Sequence, residues 1–356
     1  MRIRAFITHK KAEKFADCQD RFGVNLGTKS LAVSDGMGST WQQKIWAQIL
    51  VDQFTQHPDW KPSLETIKPL CLKWRNQVIA FIQSLKDSNA PENMIFRNER
   101  SLADGRSAGA TFVGIRFDGK NWNGCVLGDS CLVEWNGENA VFHTSQDVEE
   151  FDSYPDYFDS DATKEGKGTP KDISGTITTG CLLLVSDPFS DFLLEHKKQG
   201  DIAEYISQLL NLSSHEDFEA LVAAWRDAGM HNDDTTLIIV EDDNNEGLTI
   251  SHRDDIDALK NLESRLANQS SATPTKPEFT SEGTPTKQED ASAGGHTTPQ
   301  SPSPNEDEKD FISELREWLD QSLKKSVGKK KANNFLKRFF NSFICKILQQ
   351  YKITKK

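Results

Sequence analysis

Two Asx-Gly dipeptides constrain this chain more than any other feature. Asp118-Gly119 separates GATFVGIRF (109–117) from WNGCVLGDS (122–130), and Asn136-Gly137 follows the run CLVEW (131–135). Asx-Gly supplies the positive φ angles of a tight hairpin turn, and the flanking runs are short, apolar and β-branched, so they read as consecutive antiparallel strands. SLAVSD (30–35), GCLLLVSD (180–187) and TTLIIVE (235–241) read as further strands. Helices fill the gaps. Trp41, Ile45 and Ile49, and Trp46, Leu50 and Phe54, recur at spacing four over 40–56, and 69–86, 201–211 and 215–228 repeat the pattern. Antiparallel hairpins with helices packed outside define an α+β fold.

The chain has 356 residues, a hydrophobic fraction of 36% and eight tryptophans, enough for a substantial core. Its six cysteines, Cys18, Cys71, Cys125, Cys131, Cys181 and Cys345, form no CxxC pair and lie mostly in apolar stretches. That favours a reducing compartment and argues against structural zinc. The opening MRIRAFITHKK lacks the apolar segment of a signal peptide, and no stretch reaches the ~18 apolar residues of a membrane span. The expected location is the cytoplasm.

Three regions are distinguished. Apolar segments alternate with turn signals over 1–242; residues 243–308 are rich in Ser, Thr, Pro, Asn, Asp and Glu; helical periodicity returns over 309–356. The middle region has too few large apolar residues to offset ordering entropy and reads as a low-complexity linker, whose start, RDDIDALKNLESRLANQ, can hold a helix. The last region places eleven basic and no acidic residues after Asp320, so the body is more acidic than the net charge of −12 indicates. An acidic body argues against a nucleic-acid-binding surface there. In the tail, Phe335, Phe339, Phe343 and Ile347 share a helical spacing with Leu336, Phe340, Ile344 and Leu348. Flanked by Lys337, Arg338, Lys346 and Lys352, this is the composition of a helix that docks on a protein partner or an anionic membrane surface, the partner being favoured.

Acidic residues stand where strands begin or end: Asp20, Asp35, Asp129, Asp187, Asp191 and Asp233. Burying several carboxylates together costs several kcal/mol each and raises their pKa values, so a shared site needs cations. Oxygen ligands select Mg²⁺, Mn²⁺ or Ca²⁺, and Gly36 leaves a backbone carbonyl open beside Asp35. Taken alone, Asp187 and Asp191 are better explained as a cap and a first-turn acid of one helix, opened by Pro188. The other four acids tip the balance toward ligands.

These pieces together resemble a known family. Asp20, Asp35-Gly36, the segment SAGAT (107–111), Gly-Asp-Ser (128–130), Ser-Asp-x-x-x-Asp (186–191) and Asp-Asp-x-Thr (233–236) occur in the order and approximate spacing of the type 2C metal-dependent protein serine/threonine phosphatases, across about 230 residues. The resemblance implies an α-β-β-α sandwich with a dinuclear metal site at one end. It also implies two core Mn²⁺ or Mg²⁺ ions and hydrolysis of phosphoserine and phosphothreonine in proteins by a hydroxide bridging them. Asp35 becomes the bridging ligand and Gly36 a carbonyl ligand, with Asp20 to one side and Asp187 and Asp233 to the other; Asp20 and Asp35 are the catalytic pair. Asp129, Asp187 and Asp191 match positions that hold a weaker third ion in some bacterial relatives. Partners implied are phosphoproteins and a cognate kinase. Three positions depart from the family: Pro188 replaces a usual glycine, Phe15 (beside Lys14) an arginine that holds substrate phosphate, and Met37 the proposed general-acid histidine of animal members. No phosphate-binding residue is assigned, nor a role for His9, His143 or His231. Asp234 reads as a turn or supporting acid, and 151–168 falls where the family carries a flap. The rival reading is a catalytically silent phosphatase-like scaffold.

Overall fold

The computed structural model describes residues 1–145, 155–164, 166–243 and 247–270. Two antiparallel sheets form its centre. The first has six strands in the order β13 (Thr249–Arg253), β1 (Arg2–Thr8), β12 (Thr235–Glu241), β11 (Cys181–Val185), β7 (Cys131–Trp135) and β8 (Ala140–His143). Only β13, which runs parallel to β1, breaks the antiparallel pattern of this sheet. The second has five: β10 (Lys171–Thr176), β6 (Asn121–Leu127), β5 (Phe112–Asp118), β3 (Ser30–Ser34) and β2 (Arg21–Asn25). A two-stranded ladder joins β4 (Gly109–Ala110) to β9 (Phe158–Asp159). Helices α1 (Gln43–Gln56), α2 (Lys68–Asp87) and α3 (Glu92–Ala103) follow β3; α4 (Asp187–Gln199), α5 (Ile202–Leu210) and α6 (His215–Asp227) follow β11; α7 (Ile256–Ser270) follows β13.

The continuous apolar runs have a simple cause, which is that both faces of each central strand are covered. Along β11, Leu182 and Leu184 join Ile3, Leu31, Val113 and Ile238 between the sheets. Leu183 and Val185 point the other way, against Phe189, Phe218 and Trp225 of α4 and α6. On the far side Trp46, Leu50 and Phe54 of α1 and Trp74 of α2 cover Ala32, Phe112 and Leu127. The result is four layers, α-β-β-α. Each fully buried Leu, Ile, Val or Phe contributes about 1.5–3 kcal/mol.

Both expected hairpins are present, β5 with β6 around Gly119 (φ 61°) and β7 with β8 around Gly137 (φ 101°). They lie at one end of the sandwich. The register places the start of β2, the ends of β3, β6 and β11 and the start of β12 at the other, and the six singled-out acids sit there.

Three departures from the sequence reading bear most on the site and its domain. The run expected as one strand at 109–117 is broken at Thr111 into β4 and β5, because Gly36 bridges Ala110 while the Thr111 amide donates to the Asp35 carbonyl. Strand β11 ends at Val185 and Ser186 is the extended residue, so Asp187 opens α4 instead of closing the strand. The folded region also continues past Asp242, where the linker was expected to begin. Strand β13 pairs with the free edge of β1, and Ile256 and Leu259 of α7, the helix allowed at the linker's start, pack on the inter-sheet core. The rest of the linker and the 309–356 tail lie outside the described residues. Among the described residues no helix is long and apolar enough to cross a membrane.

Candidate active site

A cleft of about 480 Å³ opens at the acid-bearing end of the sandwich, and five carboxylates line it: Asp35, Asp129, Asp187, Asp191 and Asp233. Gly36, Met37, Ser39, Pro155 and His231 complete most of its wall. Asp20 lies behind Asp35, fully buried, with Oδ2 accepting from Thr236 Oγ1 at 2.8 Å.

Each acid is fixed by backbone. Gly36 packs where a Cβ would stand 2.9 Å from Gln43 Cγ and 3.0 Å from the Gln19 carbonyl, so only glycine brings Asp35 this close to the segment carrying Asp20. Asp129 sits in the β6–β7 turn after Gly128, whose φ of 93° suits glycine. Its carbonyl accepts from Ser190 Oγ at 2.8 Å, which ties that turn to α4. Asp187 is in the first turn of α4, and Asp191 follows one turn later. Asp233 precedes β12; Arg226 Nη2 donates to its carbonyl at 2.6 Å.

The electrostatics of this set are unfavourable for carboxylates alone. Burial, then the charges of Asp129 and Asp233, push Asp35 up to about 8. Burial, with help from Asp191 and Asp20, pushes Asp129 to about 7. Asp20 and Asp187 are held well above the usual carboxylate range by burial and by Asp35. Asp191 is raised by burial, with His231 and Lys198 opposing. Three buried oxygens, Asp20 Oδ1, Asp129 Oδ1 and Asp187 Oδ1, have no hydrogen-bond partner. Unpaired buried carboxylate oxygens are costly, and a hard divalent cation is the group that satisfies them. Among the described residues no three His, Cys, Asp or Glu side chains already form a closed metal cage. The orphaned carboxylate oxygens are nevertheless hard donors of the kind such ions take.

The sequence model of protein phosphatase 2C matches residues 9–225. The chain belongs to the protein phosphatase 2C family. It is by that membership a protein serine/threonine phosphatase. Solved structures similar to this phosphatase include a bacterial serine phosphatase at 16% identity and TM-score 0.44, over 67% of this chain and 96% of that one. The serine/threonine phosphatase Stp1 from Staphylococcus aureus aligns at 14% identity and TM-score 0.45, over 67% and 94%. The catalytic domain of the serine threonine protein phosphatase PstP, in complex with two manganese ions, aligns at 16% identity and TM-score 0.39, over 67% and 96%. No curated protein matches.

In this phosphatase the departures from the family pattern have definite places. Pro188 is buried in the first turn of α4, where a missing N–H costs nothing. Phe15 is buried between the rings of His9 and His215, and Lys14 borders a neighbouring groove instead of the cleft. Met37 stands in the cleft wall. Of the 151–168 segment, 151–154 and 165 lie outside the described residues; Pro155 reaches the cleft, and Phe158–Asp159 is anchored on β4.

One residue of the site, Lys10, escaped sequence reasoning, and Asp234 has the supporting place expected of it. Asp234 is buried and accepts from the Lys10 amide at 3.0 Å and the Gln19 amide at 2.6 Å, stitching the segment before Asp20 to the start of β12. Lys10 Nζ lies 2.6 Å from Asp233 Oδ1. Burial works against its charge, but Asp233 and then Asp234 outweigh burial, and its pKa stands above that of an ordinary lysine. The one sequence signal was the basic pair Lys10-Lys11 at the end of β1.

Proposed function

We propose that this phosphatase hydrolyses phosphoserine and phosphothreonine in proteins with two Mn²⁺ or Mg²⁺ ions held by Asp20, Asp35, the Gly36 carbonyl, Asp187 and Asp233. A weaker third ion falls to Asp129, Asp187 and Asp191. The observation that carries this reading is the convergence of five carboxylates on one cleft, with three carboxylate oxygens in and behind its wall lacking any partner. Divalent ions bound there supply acidification of a water and neutralisation of charge on the phosphoryl oxygens.

The chain's own groups do the remaining work. Asp20 is buried behind Asp35, where Thr236 Oγ1 fixes it by donating a hydrogen bond. Gly36 lets the loop behind Asp35 lie against Gln19 and Gln43. Met37 carries no dissociable proton, so the leaving alkoxide of the serine or threonine is protonated by solvent, which the open cleft admits. The groove beside the cleft, about 540 Å³ and bordered by Lys14, Gln19, Trp41 and Gln42, is where residues flanking a phosphorylated side chain fit.

A phosphoprotein substrate implies a cognate kinase. A reducing, cytoplasmic location is supported by the five described cysteines, all free and buried. The 309–356 tail is assigned to a protein partner or an anionic membrane surface, the partner favoured, on its charge and apolar spacing alone. The deciding experiment is hydrolysis of a phosphothreonine peptide with and without Mn²⁺. Metal-dependent release of phosphate by wild type, lost in Asp35→Asn and Asp233→Asn, supports the reading. A folded wild type that turns over no phosphopeptide with either ion leaves the scaffold.

A further inference from the structure

The Lys10–Asp233 contact is built in an unusual way. Both backbones are pinned: the Lys10 amide to Asp234 Oδ1, the Lys11 amide to Asn232 Oδ1 at 2.8 Å, and the carbonyls of His9 and Asp233 to one guanidinium, that of Arg226, at 3.1 and 2.6 Å. The soft part of the arrangement is therefore the lysine stem. Its ammonium approaches Asp233 Oδ1, an oxygen that also accepts the Asp234 amide at 2.7 Å. The pair is neither sealed nor fully solvated, with side chains 21% and 33% exposed. Asp233 thus has one donor that cannot leave and one that can.

Lysine suits a removable counter-ion. Its ammonium is a strongly hydrated point charge on a flexible chain, so solvent readily takes it back, whereas an arginine fork resists displacement. A divalent ion offers Asp233 twice the charge and direct coordination by oxygen. We propose that Lys10 is the site's resident cation, holding Asp233 while no ion is bound and displaced when one arrives. Lys10 is then a positioning residue that sets the ion concentration at which the site fills. The idea rests on the reading of Asp233 as a metal ligand.

The test is titration calorimetry of full-length protein with Mn²⁺ alone, comparing wild type with Lys10→Gln, Lys10→Arg and Lys11→Gln. Loss of a partly exposed ion pair is worth up to roughly 1 kcal/mol, so Lys10→Gln is expected to tighten Mn²⁺ binding about two- to fivefold. Lys10→Arg should bind no more tightly than wild type. Lys11, 75% exposed and paired loosely with Asp227 at 3.8 Å, should have no effect when changed to Gln. An unchanged or weaker affinity for Lys10→Gln overturns the proposal, and so does an equal gain in Lys11→Gln, which would reflect net charge alone. Should Lys10→Gln not fold, the side-chain NMR signal of Lys10 in wild type, assigned by its loss in Lys10→Arg, decides. It should shift saturably with Mg²⁺, and a stationary signal at saturation rejects displacement. Wild type that binds no Mn²⁺ overturns both this proposal and the metal reading; wild type that binds Mn²⁺ no differently from Lys10→Gln overturns this one only.

Discussion

Asp234 Oδ2 accepts the backbone amide of Gln19 at 2.6 Å, linking two segments 215 positions apart in the chain. With the Lys10 amide on its other oxygen, this one buried carboxylate organises the route from β1 to Asp20 without entering the cleft. Hydrogen bonds to a charged acceptor are worth about 1.5–3 kcal/mol each, and Ala would leave two amides short of a partner. Asp234→Ala is therefore expected to lower stability by about 2–4 kcal/mol in urea unfolding, with Asp234→Asn losing less because one carbonyl oxygen remains. An Ala variant as stable as wild type would show that the two amides find other acceptors.

Asp35→Asn should act in opposite directions on activity and on stability. Loss of the carboxylate proposed above as the bridging ligand is expected to reduce Mn²⁺-dependent phosphopeptide hydrolysis at least ~100-fold. In metal-free protein, however, Asp35 is raised to about 8 against an ordinary 3.8. A carboxyl whose folded pKa is raised stabilises the fold only while protonated, fully below about pH 4 and less as pH climbs toward 8. Asn never acquires that charge. Thermal melts in EDTA at pH 8 should place Asp35→Asn above wild type by a few degrees, with the gap closing toward pH 5. A variant less stable than wild type at both pH values would contradict the electrostatic account.

How much of this was legible in the sequence depended on what each residue faces. Leu182–Val185 were readable because both faces of β11 are covered, leaving an unbroken apolar run. Strand β1 was not, since Arg4 interrupts it; the guanidinium is buried against Glu241 and the carbonyls of Leu210 and Leu212, partners that no local pattern shows. Strand β10 lies at a sheet edge and exposes four of its six residues, and α3 buries none, so neither carried an apolar signature. The cleft acids stood out because they form an ordered series of short motifs beside apolar runs, although Asp187 and Asp191 lie in α4 and not at a strand terminus. Lys10 did not, because its meaning lies in Asp233 and Asp234, more than 220 positions away.

A second pH effect sits away from the cleft. His215 Nδ1 is 2.9 Å from the buried Asp254, which also receives His252 Nε2 at 2.9 Å and the Ile7 amide; Glu219 lies 3.4 Å from His215 Nε2. Burial opposes the imidazolium, but Asp254 and Glu219 outweigh it and raise His215 to about 9 from 6.5. A raised histidine contributes stability that is complete below about pH 6.5 and lost as pH rises through 9. His215→Gln should therefore destabilise at pH 6 by on the order of 2–3 kcal/mol and by much less at pH 10. Equal destabilisation at both pH values would assign His215 a packing role alone.

The cluster around Asp254 also fixes where the catalytic unit ends. Residues 249–253 add a parallel strand to β1, the Asp254 amide donates to the Ala5 carbonyl at 3.0 Å, and Glu263 of α7 accepts the Phe15 amide at 3.1 Å in the segment leading to Asp20. A chain stopped after Asp242 would bare the edge of β1, uncover the apolar surface that Ile256 and Leu259 cover, and strand His215 without its buried acid. A chain stopped after Ser270 would keep all of these contacts. Truncation after Ser270 is expected to melt close to the full chain and retain Mn²⁺-dependent hydrolysis of a phosphothreonine peptide, whereas truncation after Asp242 should lose several kcal/mol of stability or fail to fold. Melting curves and peptide turnover of the two truncations, side by side, check this. If the shorter chain proved as stable and active as the longer, β13 and α7 would be an accessory to the phosphatase and not part of it.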